Sequence, residues 1–178
     1  AIPKSYPAMM ECMSKAYQDV HENNVVEGVL RPNLLTRESF IQRDNTLLPL
    51  LDAYFLAVAR EVSEFNLGCR LLVCGFDEHE EGRIFSVGHP GRASSHEVAG
   101  FYAIGNGAEA AIARLLFRPA EEEDDVDLAL YQAFEAKAHA EVIQGVGAQS
   151  DEWVLTPRGL VEVPDEIDGL LIGVFNAA

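Results

Sequence analysis

Basic residues are scarce in this chain. Against 29 Asp and Glu stand 13 Lys and Arg, a formal charge of −16 over 178 residues. Nucleic acid and anionic membrane surfaces both favour clustered Lys and Arg, so neither is expected as a partner. Long hydrophobic runs are missing too. None reaches the ~18 residues that span a bilayer, and the opening AIPKSYPAMME meets an acid too early for a secretory leader. Cysteine is rare and odd in number. Cys12, Cys69 and Cys74 lack metal-ligand spacing and read as buried thiols of a reducing, cytoplasmic compartment. Internal repeats, low-complexity tracts and a G-x-S-x-G elbow are also lacking.

The five histidines offer little more. His21, His79, His89, His96 and His139 form no pair with another His or Cys at metal-ligand spacing, so neither a metal nor a cofactor is expected. His79 falls in a hydrophilic turn, DEHEE, and His89 precedes Pro90. A Ser-His-Asp set can be assembled from Ser94, Ser95, His96 and some acid, but no motif fixes its order.

What is present is the composition of one globular domain: 48% hydrophobic and 24% charged residues, in a chain long enough to bury a core. Its organising stretch runs from Cys69 to Phe117. CRLLVCGF reads as a buried strand, DEHEEG as a turn, RIFSV as a second strand and Pro90-Gly91 as another turn. After a polar link, GFYAI reads as a third strand, and Gly105-Asn106-Gly107 opens a helix over AEAAIARLLF. Gly-x-Gly-x-x-Ala after a strand can cradle a pyrophosphate. A nucleotide fold, however, needs a second parallel strand ending in an acid, and here the helix runs into EEEDD. Close backbone packing at the helix start is the better explanation.

Before this stretch, spacing predicts a helix from Tyr6 to Asn23 with an apolar face that includes Met9, Cys12, Met13 and Tyr17. VVEGVLRPNLL reads as an extended segment broken by Gly28 and Pro32, and TRESFIQR as a brief helix capped by Thr36. A helix from Thr46 to Phe65, capped by Thr46 with Pro49 in its first turn, is apolar on nearly every side. Such a helix is expected to be buried on two faces. After the acidic run Glu121–Asp125, read as a solvated loop and helix start, a helix is expected from Asp125 to Gln144. Its stripe would be Val126, Leu130, Tyr131, Phe134, Ala138 and Val142, with Gly145 and Gly147 as its stop. WVLT, LVEV and GLLIGVF then read as short strands.

The ordered set VCGFD, IFSV, HPG and AIGNGAEAA resembles the second half of proteasome-type subunits of the N-terminal-nucleophile hydrolase superfamily, over roughly residues 45–163. The resemblance implies an α/β fold in which mainly antiparallel sheets lie between helices, a four-layer αββα sandwich over a single domain. It implies hydrolysis of peptide or other amide bonds by an N-terminal Thr, Ser or Cys whose own amine acts as base. The rival expectation is a non-catalytic subunit of the same fold that works by assembly.

Two site residues follow from the resemblance. Asn106 stands where the family usually has Ser between two glycines. Gly147-Ala148-Gln149-Ser150-Asp151 stands where the family has Asp-x-x-Ser-Gly. Ser150 matches, while Gly147 replaces the acid and Asp151 the glycine. Family members carry two strands with the nucleophile before the first long helix, so tens of upstream residues are expected, and these 178 residues alone should catalyse no amide hydrolysis. The apolar helix over 46–65 implies a homo-oligomer formed through helix packing.

Overall fold

Burial, more than propensity, explains how the first helix ends. In the computed structural model, which describes residues 5–42, 51–117 and 125–177, α1 spans Tyr6–Val25. The chain then continues as a π-helical segment over Val26–Leu30, where an extended run was expected. Val25, Val29 and Leu30 bury against Val58, with Phe40, Val62 and Phe65 packed around them. That apolar face outweighs the weak helix preference of Val and Gly28. Pro32, which has no N–H to donate, then ends the run in turns.

Thr36 caps α2 (Arg37–Gln42) as expected. The Ser39 N–H donates to Thr36 Oγ1 at 3.1 Å and the Thr36 N–H to Ser39 Oγ at 2.9 Å, a reciprocal cap. Helix α3 runs over Leu51–Glu64; Thr46 and Pro49 lie outside the described residues. Within the chain α3 buries one stripe, not two. Val58 is buried against the cluster above, while Tyr54 is 44% and Leu56 60% exposed.

Strands β1 (Arg70–Phe76), β2 (Gly82–Gly88) and β3 (Arg92–Ser95) form one sheet in that order. The middle strand carries the burial, at Phe85, Ser86 and Val87. β1 is an edge strand, so CRLLVCGF is not the buried strand its composition suggested: Leu71 is 49% exposed. The thiols of Cys12, Cys69 and Cys74 are likewise exposed instead of buried. Between β2 and β3 the chain turns at Pro90-Gly91, where the His89–Pro90 peptide is cis. The Gly91 N–H donates to Gly88 O at 2.7 Å. Gly91 has φ +100°, and a Cβ there would stand 2.6 Å from Gln18 Cγ, so both conformation and space require glycine.

Because that turn is tight, the residues directly after it pair with β2. The polar RASS is therefore the strand, and GFYAI is irregular chain whose apolar residues pack elsewhere. Helices α4 (Ala108–Phe117) and α5 (Val126–Ala140) pack together through Ala111, Ala136 and Ala140. Asp125 stands at the N-cap of α5; residues 118–124 are outside the description. The predicted stripe of α5 is shifted: Gln132, Phe134, Glu135, Ala136 and Ala140 are buried, while Val126 and Val142 are exposed. The helix stops before Val142 because the turns that end in Gly145 begin there.

β4 (Trp153–Thr156) and β5 (Gly159–Glu162) form an antiparallel hairpin around the Pro157-Arg158 turn. GLLIGVF is not a strand. It belongs to α6 (Asp165–Ala177), whose acidic first turn follows Pro164. Leu171 and Phe175 lie four apart on one face, and Phe175 meets Phe134 and His139 edge-on at 6.1 and 5.9 Å. Over the described residues the fold is thus mixed α/β, 52% helix and 17% strand, with small antiparallel sheets. It divides into two compact units, one of Leu71–Ser86 and Ser94–Ala178 with Tyr6, the other of Pro7–Arg70 and Val87–Ala93. No described helix is long and apolar enough to cross a membrane.

A Cβ at Gly107 would lie 2.8 Å from Ala140 Cβ and 2.9 Å from Val146 Cγ2. Gly107→Ala should therefore destabilise the protein by about 1–3 kcal/mol, measured by urea unfolding; an unchanged midpoint would refute this packing.

Candidate functional site

The glycine that lets α4 approach α5 also opens a cavity. Its volume is about 550 Å³, within the range of small-molecule sites. The floor is made of small residues on the two helices, among them Ala111, Ala133, Ala136 and Ala140. Tyr102 and Ala103, from the irregular stretch misread as a strand, form one wall, with Leu72 of β1. Asn106, Lys137 and Gln149 supply the polar lining. A mostly apolar hollow with a few polar groups is the usual form of a ligand site.

Two stretches singled out in the sequence meet here. Asn106 sits in the turn before α4, and the 145–149 loop lies across from it. Gly145, Gly147 and Gln149 all line the same cavity as Asn106. A Cβ at Gly145 would stand 3.0 Å from Asn106 Nδ2, so the Asn106 side chain lies against the Gly145 backbone. Ser150 is half-buried one residue beyond Gln149 and is not part of the lining. Lys137, which sequence reading passed over, joins helix to loop: its ammonium donates to Ala148 O and to Glu141 Oε1, both at 2.6 Å. The signal for it was its place in the last turn of α5, where a cation also meets the helix dipole.

Of the serines considered beside His96, neither Ser94 nor Ser95 is its partner. His96 Nε2 lies 2.9 Å from the hydroxyl of Ser86, which is buried on β2, and its ring stacks on Tyr102 at 3.5 Å. Among the described residues no carboxylate bonds the imidazole. Burial pushes the His96 pKa below its ordinary value, so the folded protein holds it neutral. The pair reads as a half-buried imidazole satisfying a buried hydroxyl. Ser86 escaped notice because nothing local links it to a histidine ten residues away.

A charged cluster organises the same unit. Asp77 Oδ1 accepts from the His79 and Glu81 N–H groups at 2.8 and 3.1 Å, and Oδ2 accepts from Arg83 Nε at 2.9 Å. Arg83 also pairs with Glu81 and with Glu97, the latter at 3.0 Å, and lies 5.9 Å from the centre of the Tyr6 ring. The Arg83 guanidinium holds the Asp77 carboxyl well below the usual range, at about 2. His79 points from the turn to solvent with 73% of its side chain exposed. His21 meets Phe65 edge-on at 5.4 Å and His89 at a tilt at 5.5 Å, and no group of three His, Cys, Asp or Glu able to hold a metal occurs among the described residues. No family model matches the chain, and no curated protein matches it.

These shifts set two pH dependences. The folded pKa of Asp77 is depressed, so its stabilisation is present above the ordinary value near 3.8 and is lost as pH falls toward about 2. Asp77→Asn should lower the melting temperature at pH 7, with the gap to the parent closing on approach to pH 2; a constant gap would contradict the ion pair. The folded pKa of His96 is also depressed, so stability is full above about 6.5 and declines as acid forces a proton onto the ring. His96→Gln should flatten thermal stability between pH 7 and 5. Equal slopes in the parent and the variant would show that His96 does not set this dependence.

Proposed function

We propose that this chain forms the downstream part of a proteasome-related N-terminal-nucleophile hydrolase of four-layer αββα architecture, which cleaves peptide or other amide bonds. The observation that supports it is the convergence of Asn106 with Gly147 and Gln149 on one cavity. These belong to the two stretches whose family counterparts flank the active site, and they lie 41 and 43 residues apart in the chain. The order of β1, β2, the Pro-Gly turn and the Gly-x-Gly opening of α4 agrees with the same reading.

In this reading a Thr, Ser or Cys outside residues 1–178 attacks the carbonyl, with its own amine taking the proton. Asn106 can donate a hydrogen bond to the oxygen that becomes negative, or accept one from the nucleophile's amine. Ser150 stands beside the loop as a support and has no base of its own. The two departures, Gly147 and Asp151, favour a rival in which the subunit only assembles. Tyr54 and Leu56, exposed on α3, support helix-mediated association of copies in either case.

The test uses the protein as isolated from its own cells. It is treated with a peptide electrophile that captures N-terminal Thr, Ser or Cys, and the labelled residue is identified by peptide mapping. Label on an N-terminal residue, with turnover of fluorogenic peptides falling about a hundredfold in Asn106→Ala, is the expected result. Absence of label and turnover would leave the assembly reading; label on Ser86 or Ser150 would overturn both.

A further inference from the structure

We infer that the cavity beside Asn106 binds a compact apolar molecule bearing a single carboxylate, with Lys137 as its charge partner. The argument begins with what lines it. In a chain with 29 acids against 13 Lys and Arg, the described lining residues include no Asp or Glu and one cation, Lys137. A random portion of this surface would be acidic. The remaining polar groups are two amides and a tyrosine, which orient a ligand without adding charge.

Lys137 is held in place before any ligand arrives. Two of its three N–H donors are taken, by Glu141 and by Ala148 O, which leaves one. Its side chain is 27% exposed and that of Glu141 32%. The pair is therefore partly solvated, which weakens it. A fixed ammonium with a spare donor suits a carboxylate, and the alanine floor suits an unbranched apolar body that reaches between α4 and α5. A cationic ligand would meet Lys137 with no acid among the described lining residues, and a dianion would find no second cation among them.

The ligand class deepens the hydrolase reading and rests on the same site, since cleavage of an amide releases a carboxylic acid. Its test, however, is binding alone. Octanoate, octanamide and octylamine are titrated into the full chain and followed by amide NMR shifts. Octanoate should bind at least about tenfold more tightly than octanamide, shifting Asn106, Gly147 and Gln149, and octylamine should not bind. Lys137→Gln should reduce octanoate to the level of octanamide while leaving octanamide unchanged. Lys137→Arg should retain the preference, and Ala133→Phe, at an exposed lining position, should weaken both ligands. Equal binding of acid and amide, or no binding of either, would overturn the inference. So would Lys137→Gln losing both ligands alike, which would make Lys137 a brace for the 145–149 loop only. Octanoate binding without hydrolysis by the native protein would remove the hydrolase reading and keep this one.

Discussion

The approach of α4 to α5 is the constraint on which the site depends. Ala111, Ala136 and Ala140 carry single methyl groups, and Gly107 carries none, so the start of one helix comes within van der Waals reach of the end of the other. Such an interface buries little apolar area per residue but leaves no slack for a larger side chain. Among the described residues charge crosses it once: Arg114 bonds Glu135 at 2.5 Å with both side chains largely buried, while Arg114 Nε is buried with no hydrogen-bond partner among them. The cavity is the consequence. Where the alanines continue past the contact, no bulky residue among those described fills the space, and Asn106 and the 145–149 loop line it.

A second set of constraints is polar. β2 is buried enough that Ser86 must find a partner within the protein, and His96 supplies it. Arg83, near the start of the same strand, carries three carboxylates on one guanidinium and is thereby fixed in direction. Both arrangements tie β2 to the segment around 96–97. The same segment leads to Tyr102, which stacks on His96 and also walls the cavity. A perturbation at the sheet therefore has a short physical route to the candidate site, through one ring stack.

Much of this was legible from local pattern. Helix α1, the Thr36 cap, the Asp77–Glu81 turn, the Pro-Gly turn and the β4–β5 hairpin each rest on interactions within a few residues. Pattern failed where an apolar run had two possible uses. GLLIGVF has the composition of a buried strand, yet Pro164 and the acids after it start a helix, and Phe134 on α5 fixes which face is buried. GFYAI has strand composition as well, but the tight turn gave its place beside β2 to RASS. In both cases distant or prior pairing outweighed propensity.

The sequence by itself determined where the chain bends, where α1, α2, α4 and α5 begin and that Asn106 stands just before α4, because glycine, proline and capping residues act through their own backbones. It also determined the acid excess that makes a lysine-lined cavity distinctive. Only the tertiary structure decided which surfaces are buried: one face of α3 and not two, the middle strand of the sheet and not its edge, and three cysteines left at the surface. It alone brought Asn106, Gly147 and Gln149 to one cavity, and it paired Ser86 with His96. Burial and long-range pairing depend on what packs against each element, and that information is shared among residues far apart in the chain.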